Sequence, residues 1–434
     1  MSDDRPSSRI LGVWADVSAR SIARPIVRRE APRARAPIAA ASPLAVLVAV
    51  AIVAGGLLAF VNMRSDRGTT PSPSAPGSPS IAAAPTPSPA TPSSGSGSPR
   101  PMSDLRAGQL LTVDDGWAIT SVDLLVTHDG GQSWSLTTNP APSDRLVGAA
   151  FADARHGWVV TDRVPAEGSS GTLGVDVHRT DDGGLTWETV ELASTRSPGP
   201  DPVVGFPTFS VVSRDIAYIE LFAEAAPETE FRLFATVDGG RSWAQRSQLP
   251  LSSISFVDPL HGWGVRNDTN ALMRTIDGGT SWARQTTRTI PGFRPADLYA
   301  SVPTRLTDGS LVLFEPAARE GGRGVFLRSL DGATWTIAAR GPTEGGDFAA
   351  FLDDRTWLVQ IGSVSLLSSN AGASWETVET GLPGVIQSVT VLNPQNLSAI
   401  VGIYSGCPPN ADCYIPLEFW ISKDGGMTWI DATP

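Results

Sequence analysis

The chain has 434 residues and a formal net charge of −11, enough for one large domain plus a tail. Hydrophobic residues at 41%, with 43 Gly and 36 Pro, suit many short strands and turns. Residues 1–100 hold eleven Arg against five acids, so the acidity lies in 101–434, which argues against a nucleic-acid partner because phosphate contacts need Lys and Arg.

Residues 1–42 are basic and Ala/Pro-rich, with Arg20, Arg24, Arg28, Arg29, Arg33 and Arg35 ahead of the first apolar run. They read as a disordered cytoplasmic tail; binding of anionic lipid head groups by the arginines is the alternative. Within 43–63, residues 44–61 are uncharged and apolar throughout, long enough to span a bilayer as one helix. The rival is a cleaved signal peptide. Against it stand the long basic region and the lack of a convincing small-x-small site after Leu58. The arginine excess precedes the helix, which places the N-terminus in the cytoplasm and the remainder outside. Residues 64–103 are mostly Pro, Ser, Thr, Gly and Ala and cannot form a core. They read as a semi-extended stalk of about 3 Å per residue where polyproline-like, on the order of 100 Å in all.

From residue 104 to 434 one pattern, Ser/Thr-x-Asp-Gly-Gly-x-Ser/Thr-Trp, recurs seven times. The Asp and Trp positions are Asp129 and Trp134, Asp182 and Trp187, Asp238 and Trp243, Asp277 and Trp282, Asp331 and Trp335, Asn370 and Trp375, and Asp424 and Trp429. The fifth copy is one residue short and the sixth has Asn for Asp. Asp-Gly and Gly-Gly supply the positive φ of a tight turn. The Asp carboxylate can accept N–H bonds of its own turn, and the Trp can fold back as an apolar plug. Apolar or β-branched residues flank each copy, so each joins two antiparallel strands. Successive Asp positions lie 39 to 56 residues apart, the length of a four-stranded blade. The expectation is an all-β, seven-bladed propeller of four-stranded antiparallel blades, closed by packing of complete blades without strand exchange. Trp117, Trp158, Trp263 and Trp357, with Tyr218 in blade 3, recur at the start of the second strand and read as packing between blades.

The repeated pattern resembles the Asp box, or bacterial-neuraminidase repeat, of sialidase-like propellers. A sialidase would need an Arg-Ile-Pro-type element before the first box, three arginines, a Tyr–Glu pair and an Asp acid/base. Between 101 and 126 the only Arg is Arg106, and the four tyrosines are Tyr218, Tyr299, Tyr404 and Tyr414. Tyr218 takes a core-type position and Tyr404 and Tyr414 flank a cysteine loop, leaving Tyr299 with no evident Glu partner. The segments VDDGWAIT, FADARHGWVV and FVDPLHGWGV, each followed by a box, resemble photosystem II stability/assembly factor-like propellers more closely. That resemblance implies a non-catalytic scaffold that grips another protein; the sialidase resemblance implies an exo-acting glycoside hydrolase as the alternative. Fold alone does not decide.

No cofactor motif appears, and His128, His156, His178 and His261 lack metal-ligand spacing. In a four-stranded blade the box turns share one face with the loops between strands one and two. Length variation falls on the opposite face: DRVPAEGSSGTLG in blade 2, FAEAAPETE in blade 3, EPAAREGGRG in blade 5, and the connections 194–205 and 287–297. Long loops on a rigid ring are the usual binding place, so the protein or glycan partner is expected there. Arg294, Arg319 and Arg323 would meet an acidic ligand, and Glu224, Glu228 and Glu230 a basic one.

Cys407 and Cys413 are the only cysteines and share one loop of blade 7. Outside the cytoplasm such a pair favours a disulfide, worth about 2 kcal/mol by loop entropy. Mass spectrometry should find both resistant to alkylation until reduction; alkylation without reductant would refute the bond.

Overall fold

The computed structural model describes residues 104–163, 172–196, 203–225, 228–285, 298–318, 322–342, 348–361, 364–403 and 415–434. These form seven antiparallel sheets, each running first strand to fourth in sequence order. Six have four strands, and the third gains a fifth from Val203–Val204, paired to its second strand. The fold is therefore the all-β seven-bladed propeller that the box spacing predicts. Among the described residues no helix is long and apolar enough to cross a membrane; the apolar segment 44–61 lies outside them.

Each box is the hairpin between the third and fourth strands of its blade, as between Ala271–Thr275 and Ala283–Arg284 in blade 4. The turn also docks on the turn joining strands one and two. Gly130 N–H donates to Asp114 O, Gly183 to Arg155 O, Gly239 to Asp215 O, Gly278 to Leu260 O, Ala371 to Arg355 O and Gly425 to Gln395 O. One face of the ring is thus built from pairs of turns tied to each other.

The core lies between blades. Trp158 of blade 2 is 1% exposed and donates its indole N–H to Gly239 O in the box of blade 3. Tyr218 is stacked on Phe256 of blade 4 at 3.5 Å and donates to Pro259 O. Trp117 packs on Phe151 of blade 2. Trp357 also begins its second strand and packs between blades, but on the other side of its blade. The second strands of blades 1, 2 and 4 open on Gly116, Gly157 and Gly262, with the aromatic second, whereas Trp357 itself opens the strand of blade 6. Adjacent strand residues face opposite ways, so Trp357 faces blade 5, 5.0 Å from Phe326. Blades 5 and 7 open likewise on Leu311 and Leu397.

The ring closes between complete blades. The final sheet holds only strands from Val385 onward. Leu110 N–H donates to Ser398 Oγ, and the Trp134 indole donates to Ala432 O and meets Phe419 edge-on.

Gly240 shows how tight the junctions are. Its φ is +87°, and an added Cβ would lie 2.3 Å from Trp158 Nε1. Gly309 has a similar φ of +84° with nothing within 4 Å. Gly309→Ala should cost about 1 kcal/mol of backbone strain. Gly240→Ala should cost about 2–4 kcal/mol, strain and overpacking together. Urea midpoints of the two variants test this; equal losses would mean that the junction is not the constraint.

Candidate functional site

The box carboxylates are occupied by their own turns. In blade 4, Thr275 Oγ1 donates to Asp277 Oδ1 at 2.8 Å and accepts from Gly279 N–H at 2.9 Å. Asp277 Oδ1 accepts from Ser281 N–H at 2.9 Å, and Oδ2 from the Ser281 hydroxyl at 2.6 Å. The Ser281 hydroxyl, then its backbone N–H, hold the Asp277 carboxyl down at about 2. Asp129 and Asp182 are held at about 2 in the same way by Ser133 and Thr186. For Asp238 burial pushes upward, but the bonds from Ser242 and Thr236 outweigh it and the carboxyl lies at about 2. The same balance lowers Asp424. Asp331 is held low by the N–H groups of Thr334 and Ala333. Asn370 keeps the geometry with one bond reversed, its Nδ2 donating to Ser374 Oγ at 2.8 Å.

The box tryptophans lean on the preceding blade. Trp187 donates to Thr138 O, Trp243 meets Trp158 edge-on, and Trp375 stacks on Phe326 at 5.5 Å. Trp282 packs with Tyr218 and Leu233, and Trp335 with Trp263 and Leu272. Trp429 joins the cluster of Leu358 and Leu397. The indole nitrogens of Trp282 and Trp429 bond to Gly279 O and Gly426 O, whereas those of Trp243, Trp335 and Trp375 have no hydrogen-bond partner among the described residues. Three of the four histidines are turn residues: His128 pairs with Asp115, His156 with Asp153 and His261 with Asp258. No group of three or more His, Cys, Asp or Glu gathers as metal ligands among the described residues.

The opposite face carries the variation, in a form that the sequence reading misjudged. Of the segment 222–230, read as a loop, residues 222–225 and 228–230 are strand. The second and third strands of blade 3 run Ala217–Ala225 and Glu228–Thr236, pairing Glu224 with Thr229 and Ala225 with Glu228. Glu224, Glu228 and Glu230 thus stand on strands, the correction owed to the cross-strand pair Phe222–Phe231 (5.2 Å) and the alternation around it. Blade 2 is extended likewise, through Gly157–Arg163, Thr172–Thr180 and Glu188–Arg196. Because these extensions lie at the strand ends away from the box, blades 2 and 3 rise as a wall on that face. Arg323 is exposed. Arg294, Arg319, Cys407 and Cys413 lie outside the described residues.

Blade 2 also holds buried polar residues to which the sequence reading gave no structural role. Asp162 is fully buried and binds Arg145 through both oxygens. Arg163 pairs with Asp176 at 2.7 Å. His178 is buried between the Thr161 and Thr189 hydroxyls, each at 2.8 Å, and burial lowers its pKa. The visible signal was charge inside strands that otherwise read as apolar. Tyr299, the spare tyrosine of the sialidase reading, bonds through its backbone N–H to Pro316 O. No hydrogen bond joins its hydroxyl to the adjacent Glu315 among the described residues.

No protein-family model and no curated protein matches the chain. Among solved structures it is similar to YCF48 from Cyanidioschyzon merolae, at 19% identity, with TM-score 0.40, over 67% of this chain and 85% of that one. It is also similar to a GH74 xyloglucanase from Xanthomonas campestris, at 14% identity and TM-score 0.49, over 77% of this chain and 55% of that one. A Hadza microbial sialidase, Hz136, aligns at 12% identity and TM-score 0.35, over 74% and 73%. These likenesses concern the fold alone.

The turn network predicts a graded response at one box. Asp277→Ala loses every carboxylate bond and should cost about 1 kcal/mol, the net worth of exposed hydrogen bonds. Asp277→Asn should retain most of that, as the natural Asn370 turn does. Because the folded pKa lies below the unfolded one, the carboxylate's contribution is present above pH 4 and fades as pH falls toward 2. Thermal melts at pH 7 and pH 3 should show the Ala deficit shrinking at the lower pH; a constant deficit would refute the carboxylate's role.

Proposed function

We propose that the chain is a membrane-anchored, extracytoplasmic propeller that binds or scaffolds a protein or glycan partner without transforming it. The observation that carries this reading is the wall of blades 2 and 3. Strands of seven to nine residues there extend beyond what a four-residue strand such as Gly116–Ile119 needs to complete a blade. A β-ribbon held at its base by Asp162–Arg145 and Arg163–Asp176 is a rigid platform, and rigid elements fix a binding surface better than loops do. The recurrent carboxylates are meanwhile committed to box turns. The low pKa values that result keep those groups ionised, unsuited to a general acid near neutral pH.

The apolar segment 44–61 would supply the membrane anchor, and the stalk 64–103 the reach. A membrane-impermeant crosslinker applied to intact cells tests location and binding together. It should trap a partner on the full chain. Replacing the blade 2 and blade 3 extensions by two-residue turns should cut the trapped adduct at least tenfold in a variant that still melts cooperatively. Undiminished trapping by that variant would reject this face. Turnover of a sialoside or an aryl glycoside by the purified chain would favour the hydrolase instead.

A further inference from the structure

Two carboxyl groups are buried against blade 4, one on each flank. Blade 4 is built from Leu251–Phe256, Gly262–Arg266, Ala271–Thr275 and Ala283–Arg284. On one flank, Glu220 lies on the second strand of blade 3, two residues after Tyr218 and opposite Leu233. Tyr218 and Leu233 pack against Leu251, Ile254 and Phe256 of blade 4, and alternation puts Glu220 on the same side. Its residue is 4% exposed, and Oε1 accepts the Leu251 N–H at 3.0 Å. On the other flank, Glu315 ends the second strand of blade 5. Leu311 and Leu313 of that strand pack against Trp263 and Leu272 of blade 4, and Glu315 shares their side. It is 6% exposed, and among the described residues no hydrogen bond offsets the burial of its carboxyl.

The pseudo-symmetry of the ring shows what Glu220 replaces. Counting three residues on from the start of each second strand gives Ile119, Val160, Glu220, Val265, Phe314, Gln360 and Ile400. Five are apolar. Gln360 is fully buried and its Oε1 accepts the Ile386 N–H, the first-strand amide of the next blade, at 2.6 Å. Glu220 makes the same bond to the next blade, and a protonated Glu is the close isostere of Gln.

Among the described residues no cation bonds to either carboxyl. On the strands packed against Glu220, the titratable residues are Glu228, Glu230 and Arg232 of blade 3's third strand and Arg266 of blade 4's second. Arg232 stands opposite Leu221, and Arg266 is paired with Asp268. Around Glu315, Arg305 ends the first strand of blade 5, and Arg328 on the third is bound to Asp308. From blade 4, Arg274 reaches Asp331 O, and Arg323 is exposed. Burial pushes the Glu315 carboxyl up to about 7, with no charge contributing. Burial also pushes Glu220 well up, opposed only by the Leu251 N–H.

We propose that Glu220 and Glu315 form a pH-responsive latch on the two flanks of blade 4: protonated, they let it pack as a neutral wedge, and ionised, they place uncompensated carboxylates in both interfaces and loosen it. Both groups bind a proton more tightly in the closed ring, so closure is strongest below the unfolded carboxyl range and weakens as pH rises. For Glu315 that loss runs from about pH 4.5 to about 7.

Hydrogen–deuterium exchange on the full chain, between pH 5 and 8 and corrected for intrinsic exchange, tests the latch. Opening of the blade 4 strands should rise up to about tenfold per pH unit per carboxyl between pH 5 and 7, while blade 1 stays flat. Glu315→Gln and Glu220→Gln should each flatten the blade 4 response, and the pair should abolish it. Gln360→Glu should transplant the response to the junction of blades 6 and 7. A flat blade 4 profile in the natural chain, or an undiminished response in the double variant, overturns the proposal. If the double variant does not fold, a Gln360→Glu chain with no new pH response at blade 7 overturns it independently.

Discussion

The structure depends on one constraint, the close approach of each box turn to the blade before it. The second glycine of the box sits at that contact. A Cβ on Gly131 would meet Ala432 at 3.0 Å, on Gly279 Leu233 at 2.6 Å, on Gly332 Trp263 at 2.4 Å and on Gly372 Ala339 at 2.5 Å. In each case the obstacle belongs to the preceding blade. The same turn bonds backward to the strand one–two turn of its own blade, through Gly278 N–H to Leu260 O in blade 4. One eight-residue element therefore closes a hairpin, ties two turns together and spaces two blades. This is why the chain repeats it seven times. The last junction uses the same contact as the others, with Gly131 and Trp134 against Ala432. Strand exchange is unnecessary because the final blade presents the surface that every blade presents.

A face assembled this way has little freedom left. The Thr or Ser hydroxyl, the Asp or Asn side chain and the second Ser or Thr of each box bond to one another, and buried Arg179 bridges Asp181, Glu188 and the Gly239 carbonyl across a junction. The opposite ends of the strands carry no such obligation. Lengthening a hairpin there leaves the spacing of blades unchanged, so blades 2 and 3 could grow into a wall while blade 1 kept four-residue strands. Rigidity on one face and variation on the other are two results of a single spacing rule.

Residues whose role is set by local geometry were legible in the sequence. Asp277, Gly278, Gly279 and Trp282 announce a turn wherever they occur in order, and their recurrence gives the blade count. Residues whose role depends on register were not. Trp357 shares its residue type with Trp263 but stands one position earlier in its strand, and one position reverses the direction of a strand side chain. The segment around Glu224 and Glu230 reads as loop because Ala, Pro and Glu are poor strand formers; the Phe222–Phe231 pair and the continuing ladder override that preference. Asp162 and Glu220 could not be located because burial of a charge is a property of the neighbouring strands and blades. Only alignment of the seven second strands singles out Glu220, as an acid where five blades place an apolar residue.

The irregular blades show how the ring tolerates departures from its own rule. Blade 5 loses one residue of the box, and Asp331 responds by bonding the N–H groups of Ala333 and Thr334, each one residue nearer than in the full turn. Blade 6 replaces Asp by Asn and the first Gly by Ala371, which takes φ 57°. The reversed bond to Ser374 preserves the turn there. In both cases the second glycine, Gly332 or Gly372, is kept, and in both it lies against a tryptophan and a neighbouring blade. Polarity within the turn can thus be exchanged, since several donors and acceptors lie within reach. Volume at the junction cannot be, since a side chain of the preceding blade already fills it. The same distinction separates Gln360 from Glu220. Both fill the junction with one side chain of the same length and make the same bond to the next blade, so their geometry is interchangeable. They differ in charge alone, and in a desolvated junction that difference depends on the proton.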